Sequence, residues 1–212
     1  MSNSFDSLDN LETSLRKSSV IQERMNLVST HMYKQFLEYQ HSNINMAEVF
    51  LKMLENMNMT VEFLKQSFNA RGVSTQNIYY DLDASKNIAV LNILWHTISF
   101  ITNVNNKPQA LQRENGIPLF TGRIMALKGD YHKIIQENKE DYMQAILDHE
   151  IASLYVPAEK TEAAIIKVKH RGNTELPINQ MEAPREFLLK VIEIICGGGL
   201  YHEESFRKTI TF

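Results

Sequence analysis

The residues best suited to chemistry are a lone thiol beside three glycines, Cys196-Gly197-Gly198-Gly199, seven histidines, and an acidic group formed by Glu140, Asp141, Asp148 and Glu150 around His149. A glycine run can cradle a phosphate when it follows a strand and opens a helix, because the first amides of that helix then point at the anion. Here the glycines follow an apolar helical pattern, so they stand at its carboxyl end, where the partial charge is negative and phosphate is repelled. Cys196 shares that position. A thiolate is favoured at a helix amino end or beside a cation, so the sequence predicts a structural cysteine. The histidines, at 31, 41, 96, 132, 149, 170 and 202, make no metal spacing, and His149-Glu150 runs into Ile151 where a zinc motif would need a second histidine. On a helix, Glu140, Asp141, Asp148 and Glu150 fall on several sides, which suits a solvated surface better than an acid and base pair. The sequence has no nucleophile elbow, Walker loop or dinucleotide fingerprint. It predicts no enzyme, no cofactor and no metal.

Two other sets of residues are suited to recognition. Met46, Phe50, Met53, Met57, Val61, Leu64 and Phe68 step by four, three, four, four, three and four, and so lie along one side of a helix. Methionine is unbranched and polarizable, so a face of this kind can pack inside its own domain or repack around unlike apolar partners. A similar stripe precedes it, through Ile21, Met25, Val28, Met32, Phe36 and Tyr39. Two such stripes could form a trough for an amphipathic helix. The candidate contacts are Met25, Met32 and Phe36 on the first and Phe50, Met53 and Met57 on the second. The other set is Lys167, Lys169 and Arg171, alternate positions that a strand would place on one sheet face. Such a face could be solvated or grip an acidic protein segment; an RNA-binding sheet would want exposed aromatics, which Ile165, Ile166 and Val168 do not supply.

The elements that must position these residues follow from the pattern. Residues 1–18, with Leu8, Leu11 and Leu15 at helical spacing, read as a flexible arm or short docking helix. Ser19 with Gln22 makes a capping box that starts a helix running to about His41. Asn45 caps the methionine helix, which Arg71-Gly72 stops. The state of 73–87 is open. From Ser85, Ile88, Leu91, Trp95, Ile98 and Ile101 predict a buried third helix. Pro108, Gly116, Pro118, Gly122 and Gly129 predict short, broken structure. Asp130 caps a helical stretch interrupted near Asn138 and ending around Glu150. The apolar period then changes. Residues 151–156, 163–170 and 175–178 read as strands, Pro184 opens a helix closed by Gly197, and 206–212 read as a last strand. The expected fold class is therefore α+β, with a mainly helical body over 19–150 and a small antiparallel sheet with a packed helix over 151–212, the two packed as one domain by length. 

Composition agrees with an ordinary globular chain: 212 residues, 43% hydrophobic, 22% charged, net charge −3. That charge offers no global attraction to nucleic acid or anionic membranes. One cysteine excludes an internal disulfide and fits a reducing compartment, and the polar, acidic start lacks the pattern of a signal peptide, so the cytoplasm is expected. The apolar stretch 88–104 is too short and too polar to span a membrane.

In size, mild acidity, Met-rich amphipathic helices and a C-terminal hairpin followed by Pro184-Arg185-Glu186-Phe187-Leu188-Leu189-Lys190-Val191-Ile192 and a glycine stop, the chain resembles the LvgA-like adaptors of the Dot/Icm type IVB secretion coupling complex. The resemblance is one of whole-chain character, over 19–72 and 151–212, and carries no site residues across. It implies a non-enzymatic cytoplasmic adaptor or secretion chaperone, with partner adaptor subunits, a coupling ATPase tail and secreted effectors as its protein partners. The alternative is a small enzyme or nucleotide-binding domain with His149, Glu150 and Arg171 near a cleft in the C-terminal sheet unit.

Overall fold

The chain's computed structural model describes residues 5–83, 85, 87–102, 109–112, 118–169 and 174–197. The first element is a single helix, α1, Phe5–Asn69, of 65 residues. No proline or glycine occurs before Gly72, so nothing in this stretch forces the backbone out of helix. The expected starts at Ser19 and Asn45 are therefore interior positions. Asn45 does a different job: its side-chain amide donates to the carbonyls of Pro157 (3.1 Å) and Ala158 (2.5 Å), tying the helix to the sheet. The expected stop is where α1 ends. Gly72 takes φ +73°, Gly72 N–H donates to Asn69 O and Val73 N–H to Phe68 O, the paired bonds of a Schellman closure.

The rest of the chain is strand-rich: β1 (Ile78–Asp83), β2 (Ile88–Ile93), β3 (His96–Thr102), β4 (Gln109–Gln112), β5 (Pro118–Lys128), α2 (Tyr131–Glu137), α3 (Tyr142–His149), β6 (Glu150–Pro157), β7 (Ala164–Val168), β8 (Thr174–Ile178) and α4 (Ala183–Cys196). All described pairings are antiparallel. They form one eight-stranded sheet in the order β1-β2-β3-β5-β6-β7-β8, with β4 paired to β5 beside that path. Alternation along β5 separates its faces. Ile124 and Ala126 join the cluster under α1 and α4, whereas Met125 and Leu127 join Ile88, Val90 and Ile101 under Ile134, Ala145 and Ile146 of α2 and α3.

The fold is α+β, as the change of period implied, but the sheet begins at Ile78 and not after Glu150. The expected third helix is the hairpin β2–β3. Both faces of these strands are covered, so β2 buries Ile88, Ala89, Val90, Leu91 and Ile93, and a run buried on both sides loses the period of two that identifies a strand. The turn gave no warning either. It is Leu94-Trp95, with Leu94 at φ +58°, the region that favours glycine in a two-residue hairpin. Leu94 is held there by partial burial against the core and by its N–H donating to Asn77 O at 2.9 Å.

The region expected to be broken by glycines contains β5, the strand against which α1 packs most closely. Gly122 is a point of contact: a Cβ there would meet the Met46 side chain and lie 2.7 Å from Ser42 O. Asp130 caps α2 as expected, accepting from His132 N–H at 2.8 Å, and Asp141 caps α3 after the interruption at Asn138. The strands after Glu150 and the helix opened by Pro184 also match expectation. The expected strand over 206–212 lies outside the described residues, as do Gly198, Gly199 and Arg171.

Candidate partner-binding surface

The apolar stripe of α1 has two environments. From Ser42 onward it lies on the sheet and is sealed: Met46, Val49, Phe50, Met53, Met57 and Val61 are buried, with Met53 and Met57 at 0% exposure. Phe50, Met53 and Met57 are thus core, and the expectation that they form a partner contact set is corrected. Each such side chain contributes about 1.5–3 kcal/mol by leaving water, and a partner could reach them only by lifting α1 from its own sheet.

Toward the amino end the same stripe continues with nothing over it. Ile21, Met25, Val28, Met32 and Phe36 are 60%, 57%, 48%, 62% and 53% exposed. Leu27, Tyr33 and Val20 are also exposed, on other sides of the helix. Helix stability in proteins comes mainly from packing of an amphipathic face, and over residues 18–34 every side chain is exposed, with partial burial starting only at Gln35 and continuing at Leu37 and Tyr39. Met25, Met32 and Phe36 therefore lie together on one exposed, contiguous surface. The trough expected from two parallel stripes does not exist, because the stripes are successive parts of one helix, end to end.

Of the basic set, Lys167 and Lys169 enter separate structural contacts. Lys167 lies on the face opposite α1, paired with Glu175 at 2.6 Å and 5.4 Å from the centre of the Tyr155 ring. Lys169 follows the end of β7 and donates to Leu147 O in the last turn of α3, where a cation complements the negative helix end. These two do not form a shared cationic face.

A neighbouring polar network was not legible in sequence. Arg123 on β5 donates to Glu150 Oε1 at 2.5 Å and to Ser153 Oγ at 2.9 Å, and Ser153 donates to the same carboxylate at 2.6 Å. The Arg123 guanidinium also lies 5.4 Å from the Tyr155 ring centre. Burial pushes the Tyr155 phenol above its ordinary pKa, against the pull of Arg123. These residues are 27 and 30 positions apart, so only strand register joins them. Both donors meet the same oxygen, Glu150 Oε1, and His149 has Nδ1 2.8 Å from Ala145 O in its own helix. Arg171, the third residue of the alternative enzyme reading, lies outside the described residues.

Burial raises the pKa of the Cys196 thiol, which disfavours the thiolate. Among the described residues, no group of three or more His, Cys, Asp and Glu side chains is placed to hold a metal ion, and no helix is long and apolar enough to cross a membrane. One exposed aromatic also escaped sequence reasoning: Trp95, at the β2–β3 tip, is 81% exposed. The hidden signal was the tight turn itself. The chain matches no protein-family model, no curated protein and no solved structure.

Proposed function

We propose that this chain is a non-enzymatic adaptor that docks an amphipathic helical segment of another polypeptide against residues 18–41 of α1. The single observation that carries this reading is the emergence of an apolar stripe from its own core into solvent, with Ile21, Met25, Val28, Met32 and Phe36 all about half exposed or more. Helix-on-helix recognition uses anchors at this spacing, and methionines at two of the five positions allow the surface to adjust to unlike partners. The sheet, with α4 beside the buried part of α1, serves as the rigid base from which the helix projects.

The resemblance to type IVB secretion adaptors gives the reading its biological form. On that basis the protein is cytoplasmic, its partners are adaptor subunits and the tail of a coupling ATPase, and the bound complex recruits effectors for export. The test is affinity purification of the tagged full chain from its native cell, in parallel with Met25→Glu/Met32→Glu. A set of secretion subunits that is present with the first and lost with the second, at unchanged circular dichroism, supports the proposal. An identical partner set from both proteins rejects the stripe as the docking surface.

A further inference from the structure

Resting on the reading of residues 18–41 as a docking surface, we infer that the stripe's own chain is an occupant: two copies pair through an antiparallel coiled coil of their α1 helices, about a dyad between Met25 and Val28. Ile21, Met25, Val28 and Met32 step by four, three and four, the spacing of a coiled-coil seam. This sequence of steps reads the same in both directions. Reversing one helix about the midpoint therefore sets Ile21 of each copy opposite Met32 of the other, and Met25 opposite Val28. Every layer then combines one β-branched side chain with one methionine, and the two copies use the same patch, as a closed two-fold pair requires.

The body of the protein selects the antiparallel sense. The face that carries Ile21 to Phe36 is the face that meets the sheet from Ser42 onward. Parallel helices joined on this face would drive both sheets into the space between them just past Ser42. Antiparallel helices place the sheets at opposite ends. With the dyad between Met25 and Val28, Ser42 stands level with position 11 of the second helix, so the pairing covers about 30 residues, or ~45 Å, and residues 5–10 of each α1, which would fall level with 43–48 of the other copy where its sheet begins, must turn aside from the helix axis. Across a helix width of ~10 Å, that is ~450 Å² of projected contact per copy. The total of ~900 Å² lies at the small end of specific interfaces, so the pair should exchange with monomer as concentration changes.

The test is sedimentation velocity of the full chain from about 1 to 200 μM, the upper range being set by the small interface. Expected is a shift from the 24.5 kDa monomer to a species of twice that mass, abolished in Met25→Glu/Met32→Glu at unchanged circular dichroism. Orientation is read from a spin label on Ser18→Cys in a Cys196→Ala background. Ser18 then lies level with Gln35 of the second copy, so the backbone positions of the two labels should be ~26 Å apart along the axis, against ~10 Å for a parallel pair. A monomer throughout, a dimer that survives the double substitution, or the short separation overturns the inference. A monomeric wild type whose protein partner is still lost in the double variant overturns the self-pairing alone. A variant that equals wild type in both mass and partner set overturns the docking reading as well.

Discussion

The two halves of α1 carry the same kinds of side chain at the same spacing and meet opposite fates. Met25 and Met32 are more than half exposed, while Met53 and Met57, further along the same helix, are wholly buried. Neither composition nor periodicity separates them. What separates them is the place where β5 and β6 come under the helix, marked by the contact between Gly122 and Ser42 and by the bonds from Asn45 to Pro157 and Ala158. An amphipathic stripe states only that a helix needs a partner; the sheet's extent decides which part of that need is met within the chain.

The sharpest way to break this comparison is to place charge in each half. Met53→Glu with Met57→Glu puts two carboxylates into a dry core, at a cost of several kcal/mol if left unpaired, comparable with the whole stability of a domain. We expect loss of the cooperative thermal transition. Met25→Glu with Met32→Glu should retain it, with a native circular dichroism spectrum. Unfolding by the second pair, or tolerance of the first, would erase the distinction.

The junction comes next. Gly122→Val introduces a side chain where even a Cβ meets Met46 and Ser42, and should cost about 1–3 kcal/mol, the usual range for overpacking. Asn45→Ala leaves the Pro157 and Ala158 carbonyls without that donor and should cost about 1–3 kcal/mol. Both are read by urea denaturation. Each should loosen the buried half, seen as faster hydrogen exchange from Met46 to Val61, and leave exchange over residues 18–41 unchanged. The smallest mutational effect belongs to the exposed half: Met25→Ala should shift the stability of the monomer by no more than about 0.5 kcal/mol.

A pH dependence sharpens the picture on α4. Burial raises the Glu193 pKa above its ordinary value, opposed by Lys190, and its buried Oε2 has no hydrogen-bond partner among the described residues. The folded state therefore holds this proton to higher pH than the unfolded chain does. Stability from this group is greatest below the unfolded pKa and falls as pH rises to the folded one. Glu193→Gln should remove that slope and raise Tm slightly at pH 7, with little change at acid pH. An equal shift at both pH values would assign the effect to packing.

Local rules written in short segments were legible. The stop at Gly72 follows from a glycine able to take φ +73°, the cap at Asp130 from a side chain that can reach a free amide, and β6 to β8 from segments rich in Ile, Val and Tyr set between turn residues, with β7 also keeping the alternation of a half-covered strand. In the buried strand β2 the alternation is lost, and its hairpin reads as a helix until pairing with β1 and β3 is known. Capping chemistry at Ser19 and Asn45 is equally ambiguous: with no glycine or proline to end the helix both are interior positions, and Asn45 bonds to the Pro157 and Ala158 carbonyls instead.

By itself, then, the sequence determined that residues 19–41 and 45–71 would be helical with one apolar side, though not that they form one helix, that the methionines would seek burial, and that the chain would combine helix with antiparallel strand. Tertiary structure alone decided that Phe50, Met53 and Met57 are core while Met25, Met32 and Phe36 remain in water, and that Arg123, Glu150, Ser153 and Tyr155 meet. The reason is range. Helix propensity and capping act within about four residues, whereas burial and strand register depend on segments a hundred positions away, as Asn45 and Pro157 are, and no local pattern records where those segments come to rest.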